Sequence, residues 1–281
     1  MSSASTSRRC PPASGSPAAI SVFNVVVFAI REVQMESIPK YDSPREGRVL
    51  TREEVKARFD HETAAVYSQD SPIYLPDFAA AFALVIKSVT SHLPATPRFL
   101  DLGAGTGNLS RRMLAAVEDS HGTLLDFSPN MLAGTSTVLA SYQGRYDTVC
   151  GDFFSAEFAA QQFDVVISSF ALHHARGDAE YLQVYRHIHR WLKPGGVFTC
   201  CDVVSGDTPH WTALNEQGWQ GYLRAVDFPE EQIERIFASY YVEDTPISLS
   251  RHLALLHEAG FTHTDVLWKQ YNFAVYCAQK E

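Results

Sequence analysis

The sequence predicts a doubly wound α/β fold, in which helices cover both faces of a mainly parallel sheet. Short apolar runs alternate with helical segments between residues 98 and 204, which is typical of parallel strands joined by crossover helices. The runs are apolar at consecutive positions, as in strands buried on both faces. A glycine-rich turn, residues 103–107, follows the first run. Together these three features favour an open parallel sheet with a ligand site at its strand ends.

Two helices are predicted ahead of the sheet. Residues 51–68 are charged and helical in pattern, and two prolines in residues 71–76 then interrupt them. A second helix restarts near Pro76 and ends before Pro94. Its apolar residues recur at spacings of three and four: Phe78, Phe82, Val85, Ile86 and Val89. We expect residues 35–94 to form a helical lid on the amino-terminal side.

Five strands and their connecting helices come next. The predicted strands are residues 98–103, 122–128, 146–152, 163–170 and 196–204. Helices are predicted at residues 109–117, from Pro129 onward, and at residues 181–192, where Lys193-Pro194-Gly195-Gly196 stops the last one. The alternation of strand and helix accounts for the parallel part of the sheet.

The alternation breaks after residue 204. Two acidic, aromatic helices at residues 210–226 and 229–241 predict a small helical cap inserted over residues 205–245. A last helix, residues 250–260, ends at Gly260 as helices commonly do. Two strands, residues 261–272 and 273–280, close the chain. Their short connection predicts an antiparallel final hairpin.

Composition limits the class of protein. The net charge of −9 and the pI near 5.6 disfavour nucleic acid as a partner, and no apolar run approaches the ~18 residues of a membrane span. Five cysteines, with neither a CxxC pair nor zinc-ligand spacing, predict reduced thiols, a reducing cytoplasmic compartment and no metal site. We therefore expect a soluble protein with no membrane partner.

Residues 1–34 differ from the rest of the chain. They are rich in Ser, Pro and Ala, and Arg8 and Arg9 precede a short apolar run. No small-x-small cleavage site follows that run. We expect a disordered or dispensable extension, and a targeting segment stays open as an alternative.

The glycine turn does not match the phosphate-binding motifs. A dinucleotide fingerprint places its third glycine where this chain has Asn108, and no Walker lysine follows. Asp101, at the end of the first strand, would repel a pyrophosphate and attract an ammonium or sulfonium group. The turn therefore suits a cationic ligand that the bare backbone approaches closely.

Acidic residues at the next two strand ends indicate an adenosine. Asp126 lies about 20 residues beyond the turn, where a carboxylate hydrogen-bonds both ribose hydroxyls. Asp152 ends the third strand and suits an exocyclic amine, while Phe127 and Phe153 suit the two faces of a flat base. The prediction of an adenosine site rests on the combination of these residues more than on any one of them.

These motifs together resemble the class I S-adenosylmethionine-dependent methyltransferases of the small-molecule type. The resemblance runs from Phe99 to about Asp202 and includes the turn at 101–107, residues 163–174 (FDVVISSFALHH) and residues 192–196 (LKPGG). It implies a Rossmann-like, seven-stranded sheet within a methyltransferase domain at residues 95–281, and S-adenosylmethionine as the cofactor. The cofactor-binding residues that it and the motifs indicate are Asp101, Gly103, Ala104, Gly105, Gly107, Asp126, Phe127, Asp152, Phe153 and Ser169.

The implied reaction is in-line displacement at the sulfonium methyl, for which no covalent intermediate is needed. His173 or His174, after the fourth strand, is the candidate base, with a structural role in that loop as the alternative. Candidate substrate contacts lie in the lid, at the fifth strand end and in the cap: Tyr67, Tyr74, Asp202, Trp211, Trp219 and Tyr222. Aromatic residues at helical spacing equally suit a cap core.

The favoured function is methyl transfer to a small-molecule acceptor. Two other classes stay open. The ending over residues 255–280 also resembles enzymes that act on the wobble uridine of transfer RNA, and a noncatalytic S-adenosylmethionine-binding protein would carry the same cofactor motifs. An RNA-binding surface requires clustered lysine and arginine. The predicted cap is instead acidic: Glu216, Asp227, Glu230, Glu231 and Glu234.

Overall fold

The computed structural model describes residues 49–61, 75–90 and 93–281. The predicted extension at residues 1–34 lies outside these ranges, as do Tyr67 and Tyr74. The division into lid, methyltransferase domain and cap stays a prediction. No helix within the described ranges has the length and apolarity that crossing a membrane requires.

A seven-stranded sheet forms the centre, in the order β3-β2-β1-β4-β5-β7-β6. The strands are β1 (Arg98–Leu102), β2 (His121–Asp126), β3 (Tyr146–Cys150), β4 (Phe163–Ser169), β5 (Leu192–Val203), β6 (His263–Gln270) and β7 (Phe273–Gln279). The first five are parallel, and β7 is antiparallel to both β5 and β6. The predicted sheet and its antiparallel final hairpin are confirmed. The strand order reverses between β1 and β4, which opens a crevice at their carboxyl ends.

Eight α-helices belong to the described ranges: α1 (Arg52–His61), α2 (Phe78–Thr90), α3 (Asn108–Ala116), α4 (Pro129–Val138), α5 (Gly177–Trp191), α6 (Pro209–Ala225), α7 (Glu230–Glu243) and α8 (Leu249–Glu258). Side-chain hydrogen bonds to the backbone determine where two of these helices begin. Thr51 and Glu54 form a reciprocal capping box at the start of α1. Ser128 caps α4 through the N–H of Met131, with Pro129 in the first turn.

The hydrophobic core has two parts, one on each face of the sheet. On β4, Val166 packs with α5 and α8 residues such as Tyr185, whereas Val165 and Ile167 pack with α2 residues such as Phe82. Alternate side chains of one strand thus enter opposite cores. This explains the continuous apolar runs in the sequence.

The segment Lys193–Gly196 differs from its prediction as a turn between helix and strand. Helix α5 ends at Trp191, and β5 already begins at Leu192, which pairs with Phe163. The register then shifts between Phe163 and Val165, and Gly195 takes a positive φ of 77°. The proline and glycines therefore form an irregularity inside β5, because the pairing begins before them.

Candidate functional site

The glycine turn after β1 depends on residues without a Cβ. Gly103, Gly105 and Gly107 have φ values of 67°, 54° and 87°, in the left-handed region that other residues rarely adopt. A Cβ on Gly103 would lie 2.2 Å from the Cβ of Ala171. A Cβ on Gly105 would meet nothing within 4 Å. The turn therefore packs closely against the segment after β4 at one glycine and faces open space at the next.

Asp126 holds the turn from the end of β2. Its Oδ2 accepts a hydrogen bond from the N–H of Gly105 at 2.8 Å, and its Oδ1 accepts one from the N–H of Ser128 at 2.9 Å. A carboxylate oxygen can accept more than one hydrogen bond. Asp126 thus positions the glycine turn.

Asp101 is fully buried at the end of β1. Its Oδ2 accepts a hydrogen bond from the hydroxyl of Ser110 at 2.6 Å, while its Oδ1 accepts none from the described residues. Burial raises the pKa of this carboxyl from 3.8 to about 7; the hydrogen bonds from Ser110 oppose the rise, and Asp126 adds to it. The turn therefore has a titratable group with one unused acceptor.

A pocket opens along the carboxyl ends of β1 to β4, with about 1040 Å³ of empty space including the solvent at its open mouth. Eight of the predicted cofactor residues line it: Gly103, Ala104, Gly105, Asp126, Phe127, Asp152, Phe153 and Ser169. Asp101 and Gly107 lie outside the lining: Asp101 bonds to α3, and Gly107 is the N-cap of that helix. The structure thus brings the acids of β2 and β3 to one cavity with the glycine turn.

His173 and His174 follow β4 and have different surroundings. Nδ1 of His173 lies 2.5 Å from Oδ1 of Asp202, and its Nε2 lies 3.5 Å from Oδ1 of Asp244. Burial lowers the pKa of His173, but Asp244 and Asp202 outweigh that effect and raise it to about 9. Burial and the neighbouring His173 instead hold the pKa of His174 well below 6.5. Of the two, His174 lines the pocket.

The described substrate candidates do not line the pocket. Asp202 is buried, with an exposed fraction of 1%, and binds His173 and the N–H of Leu172. Trp219 packs edge-on against Phe273 of β7 at 5.0 Å, in the contact between cap and sheet. Trp211 is 52% exposed on the cap surface. Tyr222 is half-buried and packs with the core on the same face. None of these four residues borders the cavity as a substrate contact would.

Several lining residues were missed by the sequence prediction. They include Arg52 and Val55 of α1, Phe78 and Phe82 of α2, Phe154, Phe170, Arg176 and Glu243. Phe78 and Phe82 were predicted only as an apolar helix stripe. No motif marked Glu243, because it lies in the cap, about 70 residues beyond His174. The phenylalanines give the pocket an apolar wall.

The comparisons with known proteins agree with this geometry. Residues 99–196 match the family of the methyltransferase domain. A demethylmenaquinone methyltransferase of Listeria monocytogenes is 30% identical over 174 residues, covering 58% of this chain and 69% of that protein.

The chain belongs to the class I S-adenosylmethionine-dependent methyltransferases.

Two further proteins are similar to this methyltransferase over a larger share of its chain. A carboxy-S-adenosyl-L-methionine synthase of Wolinella succinogenes is 26% identical over 82% of this chain and 97% of its own. Phosphoethanolamine N-methyltransferase 2 of Haemonchus contortus, solved with S-adenosyl-L-methionine, has a TM-score of 0.60 at 15% identity, covering 83% of this chain and 60% of that one. At that identity the solved structure supports the fold.

S-adenosylmethionine is the cofactor of this methyltransferase, and the residues present fit it. Asp126 and Asp152 line the pocket, and their carboxylates suit the hydroxyl and amine groups of a nucleoside. The open space at Gly105 allows a ligand to approach the backbone without meeting a side chain. The sequence-based prediction of family, cofactor and enzyme class is confirmed.

The raised pKa of Asp101 predicts a pH dependence of stability. The unfolded methyltransferase loses this proton near pH 3.8 and the folded one near pH 7, so the folded state binds more protons in between. The Asp101 contribution to the free energy of unfolding therefore falls as pH rises across that window. The Asp101→Asn variant has no carboxyl group at this position, so this fall in the free energy of unfolding is absent from it. Urea unfolding of both ligand-free proteins at about pH 5 and about pH 7.5 measures their free energies of unfolding. From the lower to the higher pH, the free energy of unfolding of the variant should rise relative to that of the wild type by on the order of a few kcal/mol. Equal differences at the two pH values would contradict the assignment.

Proposed function

We propose that this methyltransferase transfers the methyl group of S-adenosylmethionine to a small organic acceptor enclosed in the pocket. One observation carries the proposal: the glycine turn, the acids of β2 and β3 and a wall of phenylalanines all open on the same cavity. Apolar pockets with a few convergent polar groups are typical of small-molecule sites. The relatives named demethylmenaquinone methyltransferase also have a small organic acceptor in their name.

The donor end of the proposed site is the glycine turn with Asp126 and Asp152. The Asp126 carboxylate binds two backbone N–H groups, and a carboxylate at this strand end suits the ribose hydroxyls. Oδ1 of Asp152 accepts a hydrogen bond from the N–H of Phe154 at 2.9 Å. Nη1 of Arg52 lies 3.6 Å from Oδ2 of Asp152. Phe127 and Phe153 offer flat apolar surfaces to the adenine.

The acceptor end is apolar. Phe78, Phe82 and Phe170 line the pocket beside the glycine turn, and Phe82 and Phe170 stack with ring centroids 6.3 Å apart. When bound, S-adenosylmethionine supplies an electrophilic methyl on a positively charged sulfur. Transfer to a neutral nucleophile disperses that charge, so a pocket that excludes water and aligns the two groups favours the reaction.

His174 is the proposed proton acceptor, and His173 is not. His173 keeps its proton at neutral pH because two carboxylates face it. His174 is neutral, since its pKa is depressed, and it borders the pocket. A neutral imidazole at the reacting end can take the proton that a hydroxyl or amine acceptor releases.

Two arginines favour a second candidate, in which the sulfonium ligand carries an additional carboxylate. Arg52 and Arg176 both line the pocket, and the buried Nε of Arg52 makes no hydrogen bond to a described residue. Guanidinium groups bind carboxylates well. Relatives named carboxy-S-adenosyl-L-methionine synthase, which align with most of this chain, make this candidate worth testing. Nothing in the pocket favours RNA, because its arginines share the lining with Asp126, Asp152 and Glu243.

The test is methyl transfer from S-adenosylmethionine labelled in the methyl group. The wild-type chain is incubated with a panel of phenols, quinols and amines and, separately, with unmodified transfer RNA. We expect label in a small organic product and none with Asp126→Asn, which removes a donor-site carboxylate. Label in RNA alone, or in no product from a folded protein, would overturn the proposal. Mass spectrometry of the nucleoside fraction distinguishes a carboxylated sulfonium ligand.

A further inference from the structure

We propose that His173, His174 and Asp244 form a binding site for a divalent metal ion of the zinc type. One ligand atom from each residue lies within 4.8 Å of the other two. Oδ1 of Asp244 lies 3.5 Å from Nε2 of His173 and 3.5 Å from Nδ1 of His174. The three side chains come from two distant segments, the turn after β4 and the end of the cap helix α7.

These distances suit metal coordination better than direct hydrogen bonding. Protein N–H···O bonds usually span ~2.7–3.2 Å, so 3.5 Å is long for either histidine to donate to Asp244. Two ligands on a tetrahedral zinc, with bonds of ~2.0–2.2 Å, lie about 3.4 Å apart. The two distances that meet at the Asp244 oxygen therefore match the spacing around one ion. The third, between the two imidazole nitrogens, is at most 4.8 Å.

Asp202 supplies the outer contact that metal-binding histidines commonly have. Its Oδ1 lies 2.5 Å from Nδ1 of His173, and its Oδ2 accepts the N–H groups of Leu172 and His173 at 2.8 and 3.3 Å. A carboxylate on Nδ1 fixes the ring and directs Nε2 towards the ion, as in carboxylate–histidine–zinc arrangements. Here Nε2 is the atom that faces Asp244.

The two segments are also tied together by the backbone. The N–H of Thr245 donates to the carbonyl of His173 at 2.9 Å, and its hydroxyl donates to the carbonyl of Ala175 at 2.5 Å. Asp244 is thereby held against the histidine turn before any ion binds. His174 lines the pocket, which gives an ion a path from solvent.

The ligand set indicates the class of ion. Two imidazoles and one carboxylate suit zinc or ferrous iron, whereas magnesium and calcium prefer sites of oxygen alone. Three protein ligands leave a position open, as in catalytic zinc sites. Sequence spacing predicted no metal site, because the motifs that reveal one keep their ligands close in the chain, whereas Asp244 lies far from the histidines.

A bound ion would change what His174 can do. A neutral imidazole has one lone pair, and coordination through Nδ1 uses it. The metal-loaded state and a proton-accepting His174 therefore exclude each other. This consequence alone rests on the proposed function; metal binding does not.

The test is equilibrium dialysis of the full, untagged chain, stripped with chelator, against zinc sulfate, with zinc counted by mass spectrometry. We expect one zinc per chain. Asp244→Asn and His174→Gln should each lower the zinc affinity at least tenfold, on the scale that such site changes usually cost. His263→Gln is the matched control, because that exposed histidine lies on β6 outside the cluster.

Near-UV circular dichroism establishes that the variants are folded, and a cobalt-loaded sample distinguishes nitrogen and oxygen ligands from cysteine thiolates by its visible spectrum. Less than half an ion per chain overturns the site. So does a thiolate charge-transfer band, or zinc binding by both folded cluster variants as tight as in the wild type.

Discussion

The Gly103→Ala variant is expected to be destabilised by about 2–5 kcal/mol. The added methyl group would lie 2.2 Å from the Cβ of Ala171, so the turn and the segment after β4 must separate, and overpacking of this kind costs about 1–3 kcal/mol. The positive φ of 67° adds about 1–2 kcal/mol of backbone strain. Urea unfolding of the ligand-free protein measures the loss.

Gly105→Ala is the matched control. Its φ of 54° carries a similar backbone strain, but its Cβ would meet nothing within 4 Å. We expect a loss of only about 1–2 kcal/mol in stability and weaker binding of S-adenosylhomocysteine in calorimetry, because the methyl group enters the proposed donor site. Equal destabilisation by the two substitutions would show that contact with Ala171 is not what Gly103 provides.

Replacing His174 by glutamine is expected to lower turnover about a hundredfold or more with a protic acceptor. A positioned general base contributes ~10²–10⁴-fold to such steps, and His174 is the neutral imidazole on the pocket wall. The proposed donor contacts lie at the other strand ends, so the affinity for S-adenosylhomocysteine should change little. Steady-state kinetics and calorimetry, both with a metal chelator present, measure the two quantities.

His210→Gln is the control for that comparison, because His210 is exposed at the start of the cap helix α6. It should keep wild-type turnover. Full turnover by a folded His174→Gln protein would contradict the base assignment. A parallel loss of turnover and donor affinity would instead indicate that His174 shapes the pocket.

The sheet could be predicted because its signals are local. Consecutive apolar residues in β4 and β5 reflect burial on both faces of the sheet. Gly260 follows the end of α8, where a glycine readily adopts the backbone conformation that ends a helix. The start of β5 could not be predicted in the same way, because the pairing of Leu192 with Phe163 is a long-range contact. Proline and glycine in Lys193–Gly196 gave a turn signal that the sheet pairing overrode.

That the proposed donor residues would meet at one cavity could be predicted for a similar reason. Asp126 and Asp152 each follow a strand, and the ends of parallel strands meet at one edge of the sheet. The proposed acceptor side depends on packing between distant segments, so no sequence motif marks Glu243 or Arg176. The sequence also suggested Asp202 as a substrate contact, whereas burial and the ion pair with His173 withdraw that side chain from the pocket.

Phe170 has a positive φ of 51° although it is not a glycine. A glycine at this position would relieve the strain that a positive φ imposes on other residues. Here the same change would delete a ring that lines the cavity and packs against Phe82 and Phe273. Phe170 thus combines a strained backbone conformation with a ring that shapes the cavity, as residues at functional sites often do. Thermostabilising libraries for this enzyme should leave Phe170 unchanged.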